Sequence, residues 1–125
     1  HVVMGHIDRT IFDYSILKET AETGVYLNLD LWGHESQYYP LAPETYMPGD
    51  HERIKMIEFL IKNNFEDQIL LAHDICTKHR LKKYGGHGFD HLLKRIVPWM
   101  EMRGIEDSII NKMMIKNPAS MLTIQ

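Results

Sequence analysis

Three side chains stand where an apolar run meets a loop, and together they could act on a polarised bond. His6 follows Val2-Val3-Met4-Gly5, and His73 and Asp74 follow Ile69-Leu70-Leu71-Ala72. An imidazole nitrogen and a carboxylate oxygen converging on one rim are suitable ligands for zinc or another divalent ion. A metal needs at least three such ligands to be held against water. His6 and Asp74 are two well-placed ones, and His73 is a candidate third. Plainer roles stay open beside these. A histidine at a strand end is more often a satisfied polar residue than a ligand, and an aspartate there commonly caps the next turn. Cys76 beside Lys78 has no evident base or orienting group and reads as an inert thiol.

The elements that must position these residues follow from the apolar pattern. The runs Val2–Gly5, Val25–Leu29 and Ile69–Ala72 are strand-length, and the first and third are continuously apolar, as suits parallel strands buried on both faces. Helical spacing lies between them. After Asp13 as N-cap, Tyr14, Leu17 and Ala21 share a face, and Gly24 fits the C′ position. After Asp50, residues Ile54, Ile57, Leu60 and Ile61 recur at helical spacing until Asn63-Asn64. Phe89 to Arg103 reads as helix with a break at Pro98, which opens a second helix. Ile105 to Ile115 is a further helix, and Asn117-Pro118 caps a last short one. The alternation of strand and helix predicts βα units on a parallel sheet.

Two connections are long, Trp32–Gly49 and Ile75–Gly88, and both leave the C-terminal ends of strands, where α/β folds build their sites. The stretch YGGHG, Tyr84 to Gly88, reads as a turn with positive-φ glycines; it lacks the helix and spacing of a phosphate loop. Lys78, Arg80, Lys82 and Lys83 read as a solvated face from which one or two cations approach a ligand. No role is assigned to Trp32–Tyr46.

The chain has 125 residues, 44% of them hydrophobic, enough for one small domain. A net charge of −3 gives no basic footprint for nucleic acid. No apolar run approaches the roughly 20 residues of a membrane span, so no membrane partner is expected. The single cysteine rules out an internal disulfide, which fits a reducing compartment, and a cytosolic location is expected. The chain begins at His1 without a methionine or signal peptide, and reads as a piece of something longer.

The motifs VMGHIDRT, ILLAHDICTKHRLKKYGGHG, IVPWMEMRGI and KNPASML occur in order with consistent intervals. Together they resemble the phosphotriesterase-related proteins, particularly their animal branch, within the amidohydrolase superfamily of metal-dependent (β/α)8 barrels. The resemblance runs from about Val2 to Leu122. It implies an α/β fold, the C-terminal part (strands six to eight with their helices) of a (β/α)8 TIM barrel. Residues 1–125 would then be the C-terminal portion of one hydrolase domain whose N-terminal portion is missing. It implies His6 as a metal ligand and Asp74 as both metal ligand and proton acceptor, with His73 a hydrogen-bond partner behind them. The other ligands of the family, a His-x-His pair, a bridging carboxylate-type group and a further histidine, belong to earlier strands. The implied cofactor is two divalent cations, expected to be zinc. Because a barrel closes only with all eight strands, this piece alone is not expected to fold stably or to bind metal tightly.

The resemblance further implies hydrolysis of a small molecule by a metal-activated hydroxide, with N-acetyltaurine cleaved to taurine and acetate. A sulfonate would want a cation at the pocket mouth, and position alone nominates Lys78 and Arg80, with Tyr84 shaping the wall. A lactonase or phosphotriesterase is the alternative within enzymes; a metal-free barrel serving as a binding scaffold is the alternative outside them. A flavodoxin-like module fits the βα order without the motifs.

Overall fold

Three parallel strands form one sheet in the order β1-β2-β3 in the computed structural model, which describes residues 1–124. They are β1 (Val3–Met4), β2 (Tyr26–Leu29) and β3 (Ile69–Leu71), with Val3 opposite Tyr26 and Leu27 opposite Ile69. The βα alternation expected from the apolar runs is therefore present. Burial on both faces is not uniform. Ile69 and Leu70 of β3 are buried, but Val3 of β1 is 39% exposed, because β1 has a neighbour on one side only.

Helix α1 (Tyr14–Glu22) starts where Asp13 Oδ1 accepts from the Ser15 amide at 2.7 Å, satisfying a donor that the first turn would leave free. It buries Leu17 and Ala21 and stops before Gly24, whose φ of 80° is the left-handed turn a helix end favours. Helix α2 (Asp50–Lys62) is opened by two carboxylates, Glu52 accepting from the Gly49 amide and Glu35 from the Asp50 amide. It ends where Asn64 takes a φ of 64°. Ile57 and Leu60 of α2 join Leu17, Ala21, Leu27, Leu29 and Ile69 in one apolar cluster with Ile96, Met100 and Met113. Burying each such side chain stabilises the fold by roughly 1.5–3 kcal/mol.

Pro98 opens a second helical element as expected, but the chain does not leave the helix before it. A π-helical segment (Leu92–Ile96) runs directly into α3 (Val97–Met102), with Pro98 in its first turn. Widening the preceding turn takes the carbonyl away from the proline ring and removes the need for its missing N–H. The same device recurs in the last helical run, where α4 (Asp107–Asn111), a π segment (Lys112–Lys116) and α5 (Asn117–Leu122) follow without interruption, and Pro118 lies in the first turn of α5. Asn117 does not cap α5. Its buried amide donates to the carbonyls of Glu66 and Ile69, both at 2.8 Å, tying this helix to the start of β3.

The strand ends are joined by a buried ionic network. Arg53, with no exposure, donates through Nε to Asp8 Oδ2 at 2.8 Å, through Nη1 to Asp50 Oδ1 at 2.9 Å and through Nη2 to the His34 carbonyl at 3.2 Å. Asp8 also accepts from the amide of Leu31 at 3.0 Å, and Asp50 from the amide of Gly33 and from His91 Nε2. The loops after β1 and β2 and the start of α2 thus meet at one guanidinium, and the helix after β3 joins them through Asp50. Arg53→Met in the whole protein strands two buried carboxylates and is expected to lower the unfolding free energy by about 3–5 kcal/mol. Urea denaturation measures it, and a loss below about 1 kcal/mol would show that the network does not hold these elements.

Candidate functional site

His6 and Asp74 both sit at C-terminal strand ends, on the same rim of a parallel sheet with β2 between them. Both hold a left-handed backbone, with φ of 55° for His6 and 42° for Asp74. Among the described residues the only other non-glycine with positive φ is Asn64, where a helix ends. Such a backbone is disfavoured for residues other than glycine, and it clusters where a side chain must be aimed.

The loop packing explains how these angles persist. After β1 the chain enters a 3-10 turn (Ile7–Arg9) whose Ile7 and Asp8 are buried. The His6 amide and Nδ1 both reach Asp30, at 3.1 Å to Oδ2 and 2.6 Å to Oδ1. Asp30 is itself buried at the end of β2 and receives the Asn28 amide at 3.0 Å. A carboxylate on Nδ1 assigns the proton there and leaves Nε2 with its lone pair free, the arrangement that orients a metal-binding imidazole. After β3, the Asp74 carbonyl accepts from Arg80 Nη1 at 2.8 Å, and the same nitrogen lies 3.2 Å from Cys76 Sγ. Gly86 packs so closely on the Arg80 backbone that a Cβ there would lie 2.1 Å from its carbonyl carbon. Only glycine permits the YGGHG turn to close this loop, whose Gly85 and Gly88 have the positive φ expected of them.

His6 Nε2 and the Asp74 carboxylate fit a divalent-metal centre in part. One is a nitrogen donor aimed by a carboxylate, the other an oxygen donor on which no hydrogen bond falls among the described residues. No group of three or more metal-ligating side chains is gathered among the described residues. His73 is turned elsewhere, its Nε2 accepting from the Leu92 amide at 3.0 Å, so that it anchors the π segment of the following helix. Lys78 lies 5.8 Å from the centre of the Tyr84 ring, and both stand on the exposed outer side of the loop, outside the cavity that Arg80 lines. Arg80 faces inward.

Residues without a role in the sequence reading hold the site together: Asp8, Asp30, His34, Asp50, Arg53 and His91. Arg53 did leave a trace, since it shares the apolar face of Ile57 and Leu60 at helical spacing. The others meet only through tertiary contact.

Four histidines crowd this rim. His34 lies 5.5 Å from His87, ring to ring, His87 5.4 Å from His91 and 6.1 Å from His73. Burial, reinforced by neighbouring cationic and imidazole groups, pushes His34 down to about 4, and also lowers His73 and His87. His34 is 8% exposed and donates from Nε2 to the His73 carbonyl at 2.9 Å. In the unfolded chain His34 takes up a proton near pH 6.5, which the folded chain refuses until about pH 4. This contribution to stability is complete above pH 6.5 and is lost as the pH falls toward 4. The loss proceeds at up to about 1.4 kcal/mol per pH unit. Chemical denaturation across that range is expected to show a shallower fall for His34→Gln; an unchanged slope would place the titration elsewhere.

Set against known proteins, the chain matches the sequence profile of the phosphotriesterase family over residues 1–122. It is 50% identical over 123 residues to an N-acetyltaurine hydrolase of Mus musculus, covering 98% of this chain and 35% of that protein. The chain thus spans about a third of the length of the curated relative it matches. Among solved structures, a resiniferatoxin-binding protein from Rhodobacter sphaeroides superposes with a TM-score of 0.83 at 28% identity, over 90% of this chain and 31% of the other. A phosphotriesterase homology protein from Escherichia coli, solved with phosphate in its active site, gives a TM-score of 0.80 at 28% identity, over 95% of this chain and 37% of the other.

Proposed function

The chain belongs to the phosphotriesterase family, and from that premise we propose that the whole protein is a divalent-metal-dependent hydrolase of a small amide, cleaving N-acetyltaurine to taurine and acetate. The observation that carries the hydrolytic reading is geometric. A histidine and a carboxylate stand on one strand-end rim, each on a left-handed backbone, and among the described residues neither His6 Nε2 nor the Asp74 carboxylate has a hydrogen-bond partner. The mouse relative, 50% identical, supports the substrate. In this reading β1, β2 and β3 are the sixth, seventh and eighth strands of a (β/α)8 barrel, and residues 1–125 are the C-terminal portion of its single domain.

His6 would hold one ion through Nε2 and Asp74 another through its carboxylate, with zinc suited to both donors. Divalent ions held there would lower the pKa of a coordinated water toward neutrality. Asp30 keeps the His6 proton on Nδ1. Asp74 accepts a proton from the attacking water and delivers it to the departing amine nitrogen, a transfer that needs a carboxylate within hydrogen-bond reach and free of other partners. Arg80, fixed to the Asp74 carbonyl, lines the adjoining cavity and is placed to meet the anionic end of the substrate. Lys78 and Tyr84 would form the outer wall of that entrance.

Two measurements on the whole protein test this reading. Asp74→Asn keeps the shape but removes the charge and the base, so hydrolysis of N-acetyltaurine is expected to vanish; retained turnover would sink the assignment. Asp30→Ala frees the His6 ring, and metal affinity by competition with a chelating dye is expected to fall roughly 10–100-fold. Unchanged affinity would mean that His6 is not a ligand.

A further inference from the structure

The loops after all three strands enclose an open cavity of about 660 Å³, lined by Arg9, His34, Tyr39, His79 and Arg80 among others. We propose that Arg9, held over the Tyr39 ring, is the residue that selects substrates with an anionic end, gripping the sulfonate of N-acetyltaurine opposite Arg80. The inference rests on the hydrolase reading above and names the part of that site which fixes its substrate class.

Arg9 has the properties of a recognition residue. Its guanidinium carbon lies 5.5 Å from the centre of the Tyr39 ring. A cation–π contact of this kind restrains the guanidinium while leaving its N–H groups available. Among the described residues no carboxylate stands within ion-pair distance of it, whereas Arg53, Lys82, Lys94, Arg103 and Lys112 all have one. The carboxylate that does line the cavity, Glu35, is committed to the Asp50 amide. The cavity wall therefore carries two guanidinium groups, neither of them in an ion pair among the described residues, against the one carboxylate of Glu35.

Both partners of the contact are held in place. The Arg9 amide donates to the His6 carbonyl at 3.1 Å, so the fork starts one tight turn from the candidate metal ligand. Tyr39 stands in a loop closed by the Tyr38–Tyr46 bridge, by the Met47 amide on the Gln37 carbonyl at 3.2 Å and by the Ala42 amide on the Tyr39 carbonyl at 3.1 Å. A planar, preorganised fork suits a sulfonate or carboxylate, whose oxygens accept two parallel N–H bonds.

The test uses the whole protein with Arg9→Met, Arg9→Lys and, as a variant that leaves every charge in place, Tyr39→Leu. Rates are measured on N-acetyltaurine and on N-ethylacetamide, which lacks the sulfonate. The preference for the sulfonate, as a ratio of kcat/KM, is expected to fall at least about tenfold in Arg9→Met, chiefly through a higher KM. Arg9→Lys and Tyr39→Leu are expected to lose part of it. An unchanged preference in Arg9→Met overturns the proposal while the hydrolase reading stands. If the wild type cleaves neither amide, that reading fails by itself, and calorimetry with ethanesulfonate decides the proposal. Binding weakened at least about tenfold by Arg9→Met supports it, and equal binding overturns it.

Discussion

Everything on the functional rim depends on one buried cation. Arg53 sits in the first turn of α2 with no exposure and makes ionic hydrogen bonds to Asp8 from the first loop and Asp50 from its own helix. Removing these charges from water is costly, and the network is tolerable only because its oxygens are also met by backbone amides and by His91. Burial pushes Asp8 above the ordinary carboxylate value against the pull of the guanidinium. Burial also opposes ionisation of Asp50, but the Gly33 amide, His91 and Arg53 together hold it below its ordinary value. Hydrophobic residues could fill the same volume. They would not fix the directions of four chain segments relative to each other, which directional charged hydrogen bonds do.

Above that network, the site is a set of side chains held against their backbone preferences. His6 and Asp74 have left-handed φ values, and each is restrained by a neighbouring side chain. Asp30 takes both the amide and the ring nitrogen of His6, and Arg80 takes the carbonyl of Asp74. The restraint on Asp74 is applied through its main chain, so its carboxylate is left with nothing to do in the fold. The proposed role of Asp74 rests on this pairing of a strained backbone with a carboxylate that accepts no hydrogen bond among the described residues.

The sheet has two open edges. β1 and β3 each have a neighbour on one side, and Val2 and Val3 stand exposed along the first edge. In relatives about three times as long, further chain is available to pair those edges and to bring more donors to the same rim. The described helices include none long and apolar enough to cross a membrane.

The sequence by itself determined the strand and helix order, because period and apolarity are local properties: the runs ending at His6 and Asp74, the Asp13 cap and the glycine-rich turn are all visible along the chain. It also placed His6 and Asp74 at strand ends, since residues following an apolar run in a βα unit must emerge on one rim. It put Pro98 at the opening of a helix but missed that the chain runs into it without interruption, and it misjudged Asn117. The first depends on whether a helix can widen by a turn to continue, and the second on which carbonyls lie across the interface. Lys78 and Arg80 were indistinguishable as sequence, two residues apart on one basic stretch. Only the fold turned Arg80 inward onto the Asp74 carbonyl and Lys78 outward onto Tyr84. Arg53 with Asp8, Asp30 with His6 and Arg9 with Tyr39 join residues 24 to 45 positions apart. Their pairing is a property of three strands set side by side, because a single element carries no information about what its neighbour brings to the same point.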